Sequence, residues 1–326
     1  MKLAVVGTGK IVQEVLPYLA GWGWEVSAVC STPRSEAKGR ELAAQCGQPP
    51  VYTDYAALLG EAKADAVYIA SPNSLHFAMA GQALRAGWNV IVEKPLTSNL
   101  REAEALAGLA ESGRRFLYEA VTTPYQPDYA ALREQLPRIG EVKLAACSYS
   151  QYSSRYDAFR RGEVLPAFDP AMSGGALMDL GLYNIHWLTG LFGAPEEVVY
   201  HANVERGIDT SGAAVLRYPG FQAVSIAAKD CAAPCRYLIQ GTEGYLMQET
   251  PANVCGEVTL HRGGTEERFH TPVEHRMEME FRTFARQMAA GDLDGCYAAL
   301  GRSLRVVGLL ARARQSAGIV FPSDGE

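Results

Sequence analysis

The sequence has no run of basic residues, no apolar stretch long enough to cross a membrane, and no paired-cysteine framework. Its net charge is −6, so the electrostatic footprint of a nucleic-acid-binding protein is missing. Met1-Lys2-Leu3-Ala4-Val5-Val6-Gly7 meets a glycine too soon to be a signal peptide. With no span of membrane length, the reading is a soluble, cytoplasmic protein with neither membrane nor nucleic acid as partner. Seven cysteines, at 30, 46, 147, 231, 235, 255 and 296, are an odd number that fits a reducing compartment better than a disulfide scaffold. Cys231 and Cys235 are close, but no second Cys or His pair stands at zinc-site spacing, so they read as ordinary thiols and no metal is expected. Internal repeats and low-complexity linkers are also lacking.

What is present is apolar sequence in short, well-punctuated runs. The 326 residues are 48% hydrophobic, enough for two domains with cores. Leu3-Ala4-Val5-Val6 reads as a strand, Gly7-Thr8-Gly9 as a turn, and 11–19 as a helix with apolar residues at 11, 12, 15, 16 and 19. Strand, Gly-x-Gly, helix lets a pyrophosphate approach the backbone and rest on a helix N-terminus. The third glycine of that fingerprint is Val12 here. Alternation continues with strands at 26–30, 66–70, 90–92 and 115–118, and helices at 35–46, 75–85 and 100–111, with Asp54 as an N-cap for 55–59. This predicts an α/β Rossmann-type parallel sheet with right-handed crossovers over residues 1–121.

NAD-preferring sites place Asp or Glu at the end of the second strand. Cys30-Ser31-Thr32-Pro33-Arg34-Ser35 has no acid there, and Ser31, Thr32 and Arg34 could accept a 2′-phosphate. The lean is to NADP over NAD. Residues 122–326 carry strand-like segments at 142–150, 198–204, 213–218, 221–227, 237–240, 245–248 and 258–261, with helical segments at 175–191, 277–289 and 296–317. That predicts an α+β domain on a large, mainly antiparallel, open-faced sheet, for substrate binding and oligomerisation. The last helix, 296–317, is free to pack back on the first domain.

Two stretches hold candidate chemistry. Val90-Ile91-Val92-Glu93-Lys94-Pro95 is a buried-strand pattern that ends in charge, which would deliver Lys94 to the crevice at the carboxyl ends of the strands. Asp179, Tyr183 and His186 follow Gly174-Gly175 in an otherwise apolar helix. At four-residue spacing Asp179 and Tyr183 share a face, and the glycines would let a ligand approach closely. An acid among Leu177, Met178, Leu180 and Leu182 needs a partner, for which Lys94 is the candidate. The bland alternative is a helix with a polar stripe on its solvent side and a core histidine.

Gly7-Thr8-Gly9-Lys10-Ile11, Ser71-Pro72-Asn73-Ser74-Leu75-His76, Glu93-Lys94-Pro95 and Gly174-Gly175-Ala176-Leu177-Met178-Asp179-Leu180-Gly181-Leu182-Tyr183 together resemble the glucose–fructose oxidoreductase/inositol dehydrogenase (Gfo/Idh/MocA) family. The resemblance implies a nicotinamide-dependent oxidoreductase acting on a sugar, polyol or related hydroxy/keto compound. It matches Lys94 to the catalytic lysine, and Asp179 with Tyr183 to the catalytic pair of the version with tyrosine four residues after the acid. It places Gly7, Thr8, Gly9, Lys10, Ile11, Ser71, Pro72, Asn73, His76, Glu93, Lys94 and Glu119 around the cofactor, with Asn73 and Glu93 by the nicotinamide ribose. His76, Tyr125, Tyr152, Arg155 and Tyr156 are plausible substrate contacts, and His186 is kept as a substrate-side candidate without a catalytic role. A homodimer or homotetramer through the open face of the second sheet is implied. Two other functions stand beside this one: an NAD-dependent glycoside hydrolase of the same family, and a non-catalytic dinucleotide sensor.

Overall fold

A computed structural model describes residues 1–325, which gather into two compact units. Met1–Ala120 with Met277–Leu304 forms the first; Val121–Arg276 and the chain from Arg305 onward form the second. The chain is therefore not divided by a single cut at 121/122, because residues 277–304 return to the first unit.

In the first unit, β1 (Lys2–Val6), α1 (Lys10–Val15), β2 (Glu25–Cys30), α2 (Glu36–Ala44), β3 (Val51–Tyr52), α3 (Tyr55–Glu61), β4 (Ala66–Ile69), α4 (His76–Arg85), β5 (Asn89–Glu93), α5 (Leu100–Gly113) and β6 (Leu117–Ala120) alternate along the chain. The six strands form one parallel sheet in the order β3-β2-β1-β4-β5-β6. Strand order reverses between β1 and β4, the place where such sheets bind ligands beyond their carboxyl ends. Residues 3–6, 66–69 and 90–93 are buried throughout, as expected of strands covered on both faces.

Several boundaries move for identifiable reasons. The helix expected over 11–19 stops at Val15 and tightens into a 3-10 segment, Leu16–Trp22. Pro17 supplies no N–H to continue the α-helical bonding. The strand expected at 115–118 starts later, since Arg114 leaves α5 in the left-handed region at φ 49. That delay puts Glu119 inside β6, opposite Val92. Asp54 caps α3 as its position suggests, accepting from the Ala57 N–H at 2.9 Å. Phe281 shows how the returning segment docks: its carbonyl accepts from Trp24 Nε1 at 3.0 Å and Tyr68 meets its ring edge-on.

The second unit holds α6 (Pro127–Gln135), β7 (Val142–Ser150), α7 (Tyr156–Arg160), α8 (Leu182–Phe192), β8 (Glu197–Glu205), β9 (Ile208–Tyr218), β10 (Phe221–Ala228), β11 (Arg236–Gly241), β12 (Gly244–Gln248), β13 (Val258–Arg262) and β14 (Thr265–Phe269). Its eight strands run β14-β13-β12-β11-β7-β10-β9-β8, antiparallel except where β10 pairs with β7. One face carries Ala145, Cys147, Tyr149, Leu216, Tyr237 and Ile239 into a core shared with α8. Asn184 of α8 ties that face together, donating to Ile226 O at 2.9 Å and accepting from Tyr237 Oη at 2.6 Å. The opposite face leaves Leu144, Val215, Ile226 and Tyr245 exposed.

Candidate active site

The first unit gathers its expected cofactor residues at the carboxyl ends of four strands and the turn after β1. Gly7 has φ +113, and a Cβ there would lie 2.5 Å from Ala70 O, so both conformation and space require glycine. Gly9 differs: its φ is −71 and a Cβ would meet nothing within 4 Å. The protein leaves open space above that backbone, as a bound dinucleotide requires. Thr8 accepts from Gln13 Nε2 through its carbonyl, Lys10 and Ile11 open α1, and Val12 is packed into the core. At the end of β2, Thr32 and Arg34 are exposed, while the Ser31 side chain is turned inward against Gly39.

Ser71, Pro72 and Asn73 follow β4 and lead into α4. His76 is fully enclosed, with Nδ1 2.8 Å from Pro95 O and Nε2 3.0 Å from Ser71 O. Burial lowers its pKa, against the pull of those two carbonyls. Its ring thus ties two crevice loops together, and it presents no surface to a substrate. Glu93 accepts from Tyr68 Oη at 2.5 Å, and Glu119 accepts from the Leu96 N–H at 3.0 Å. Both carboxylates are buried and brace the loop that carries Lys94. The Lys94–Pro95 peptide is cis. From Val90 to Asn99 every residue is buried but one, and that one is Lys94.

The second unit repeats this pattern. From Ser173 to Thr189 every residue is buried except Asp179. There is no polar stripe on a solvent side. The segment is not one regular α-helix either: Leu177–Gly181 is a π-helical turn that runs into α8. Wider π turns break the four-residue register that would align Asp179 with Tyr183. Tyr183 is buried to 6% exposure, its ring 6.3 Å from that of Tyr149. His186 is buried at 3%, deeper than the substrate-side position expected for it. Tyr125 ends a 3-10 turn, Thr123–Tyr125, and is partly buried. Tyr152 and Arg155 are exposed; Tyr152 Oη donates to Asp157, and Tyr156 Oη to Glu205.

Gly174 and Gly175 serve the chain's own packing. A Cβ on Gly175, at φ +105, would fall 2.1 Å from Asp209 Oδ1, and one on Gly174 would fall 2.7 Å from Pro166 O. Asp209 is fully buried, and its Oδ2 accepts from the Leu177 N–H at 2.7 Å and from Tyr200 Oη at 2.9 Å. It therefore anchors the entry to the π turn.

Asp179 finds a cation within its own unit: Lys229 Nζ lies 2.8 Å from its Oδ2. Sequence reasoning passed over Lys229, although a signal was available. Lys229 directly follows the end of strand β10, as Lys94 directly follows the end of β5.

Burial raises the Asp209 carboxyl above its ordinary 3.8, opposed by its hydrogen bonds and by Lys229. The folded protein then binds that proton more tightly than the unfolded chain. The resulting stability is present below the ordinary value and is lost as pH rises through the raised one. We predict that urea unfolding of wild type and Asp209→Asn will show their difference moving against the wild type as pH rises through that window. A pH-independent difference would contradict it.

Comparison with known proteins agrees with the geometry. Residues 1–120 match the oxidoreductase family with an NAD-binding Rossmann fold (GFO_IDH_MocA), and 130–247 match the GFO/IDH/MocA C-terminal domain. The chain is 34% identical to scyllo-inositol 2-dehydrogenase (NADP(+)) IolU of Bacillus subtilis over 99% of both chains. It is 30% identical to D-xylose 1-dehydrogenase (NADP(+)) 2 of Haloferax volcanii over 90% of both. KijD10, a 3-ketoreductase from Actinomadura kijaniata solved with NADP, superposes with a TM-score of 0.82 at 27% identity, covering 97% of each chain. On its sequence, its two folds and these relatives, the chain belongs to the Gfo/Idh/MocA family of oxidoreductases.

Proposed function

We propose that this oxidoreductase transfers a hydride between NADP and a carbinol or carbonyl carbon of a sugar- or polyol-like compound, with Lys94 and Tyr183 in the acid–base roles. The observation that carries the proposal is the pair of single openings: Lys94 and Asp179 each break an otherwise continuous buried run. Burying a charge is costly, and a charged group that instead stays accessible at the edge of a buried run is in reach of a ligand. The cofactor supplies the hydride acceptor or donor. Gly7 to Ile11 give backbone for the pyrophosphate, with the open space over Gly9 in support.

Hydride transfer at a carbinol carbon requires a proton to leave or reach its oxygen. Tyrosine, with an ordinary pKa near 10, is a poor base at neutral pH, and a neighbouring ammonium favours its phenolate. In this reading Lys94 polarises the substrate oxygen and makes Tyr183 the better acid–base, while Asp179 orients them. Tyr183→Phe and Lys94→Met should each lower kcat by about 10²–10⁴-fold, with NADP affinity nearly unchanged. These are read by nicotinamide absorbance over a panel of polyols, sugars and their keto forms that includes scyllo-inositol and D-xylose. Full turnover in Tyr183→Phe would sink the assignment.

NADP rather than NAD is supported by the absence of an acid at the end of β2, by exposed Thr32 and Arg34, and by the NADP-dependence in the names of the two relatives. Arg34→Ala should weaken NADP binding by about 10- to 100-fold, the worth of a charged hydrogen bond, and leave NAD binding alone. Equal losses for both cofactors would place Arg34 elsewhere.

The exposed apolar face of the second sheet supports a homodimer or homotetramer assembled through Leu144, Val215, Ile226 and Tyr245. Sedimentation should give a dimer or tetramer at micromolar concentration that Ile226→Asp dissociates; a wild-type monomer would end this part of the proposal.

A further inference from the structure

Lys229 is a buried cation with no place in the roles assigned so far. It follows β10 directly and is 3% exposed. Its backbone is held on both sides: its N–H donates to Thr210 O at 2.8 Å, and its carbonyl accepts from the Ser153 N–H at 2.9 Å. The ammonium donates to Ala167 O at 3.0 Å and stands 4.7 Å from the centre of the Phe168 ring. Phe168 is in turn fully buried against Phe159 and Tyr156. Such a lysine has little freedom left, and its charge is aimed at a carboxylate.

That carboxylate is Asp179, at 2.8 Å, whose side chain is 37% exposed. Asp209, fully buried, also feels the Lys229 charge. A rigid, buried ammonium on one side and accessible solvent on the other constrain Asp179 to one orientation. We infer that Lys229 is a positioning residue for the reaction: it clamps Asp179 from within the second unit so that the carboxylate faces the substrate in a fixed pose. The inference rests on the reading that Asp179 acts at the substrate.

The geometry makes the role one-directional. Lys229 is enclosed by Ala167, Phe168 and Asp179, so it acts through Asp179 and touches neither substrate nor cofactor. A misplacement of about 1 Å in a positioning group costs on the order of 10²-fold in rate. Removing only the lysine would also leave Asp179 and Asp209 without their cation, which is destabilising, whereas removing both charges of a pair is tolerated better.

Four proteins test this: Lys229→Met, Lys229→Arg, Asp179→Asn and the double variant Asp179→Asn/Lys229→Met. Each is assayed for kcat and for KM with NADP and with a hydroxyl substrate turned over by the wild type. Lys229→Met should lower kcat by about 10- to 100-fold while the KM for NADP stays within twofold of wild type. Lys229→Arg, which keeps the charge, should recover most of that loss. The double variant should be no slower than Asp179→Asn alone, because the lysine has nothing left to position. If Lys229→Met fails to fold, the double variant against Asp179→Asn, and Lys229→Arg against wild type, still decide the matter. A double variant at least tenfold slower than Asp179→Asn overturns the inference, as does wild-type kcat in Lys229→Met. Wild-type kcat in Asp179→Asn would instead overturn the reading of Asp179 itself, and the inference with it.

Discussion

A carboxylate set into an apolar helical segment must be compensated, and the second unit is arranged around that requirement. Asp179 emerges from a run in which every neighbour from Ser173 to Thr189 is buried. Its charge is met by Lys229, which is fixed by a carbonyl, an aromatic ring and its own paired backbone. Below the same segment, Asp209 takes the Leu177 N–H and forces glycine at 175. The π-helical turn carries Asp179 and is held at its first residue by Asp209. Such a break in the regular α-helical register is frequent at functional sites.

The first unit meets the same problem with different parts. Lys94 is the one opening in a buried stretch of ten residues, and the groups around it are spent on holding the loop. His76 joins Ser71 to Pro95, Glu119 takes the Leu96 N–H, and Glu93 takes the Tyr68 hydroxyl. Residues that a pattern search assigns to the cofactor thus divide into two kinds. Gly7 and Gly9 shape the backbone and leave space, whereas His76, Glu93 and Glu119 act from beneath.

Much of this was legible from the chain. Short apolar runs bounded by glycine announce the parallel sheet, because buried strands need continuous hydrophobicity and their exits need turns. The alternation within β7, β9 and β10 likewise announces a sheet with one covered face. Other features leave no such trace. β14, Thr265-Glu266-Glu267-Arg268-Phe269, is an edge strand whose charges hide it from any search for apolar alternation. A π turn has no sequence period of its own. The return of residues 277–304 to the first unit depends on long-range contacts such as Trp24 with Phe281. Lys229 is the instructive miss: like Lys94 it follows a strand end, but its partner is fifty residues away in sequence.

The central claim is that Lys94 and Tyr183 handle the proton of a substrate hydroxyl while NADP handles its hydride. The most direct measurement is a crystal structure of the Tyr183→Phe variant, and of wild type, with NADP and a hydroxyl substrate bound. The account predicts the reacting oxygen within hydrogen-bond distance of Lys94 Nζ in both, about 2.7–3.2 Å, and of Tyr183 Oη in the wild type. A substrate whose reacting carbon faces the nicotinamide while its oxygen is held by neither residue would contradict it.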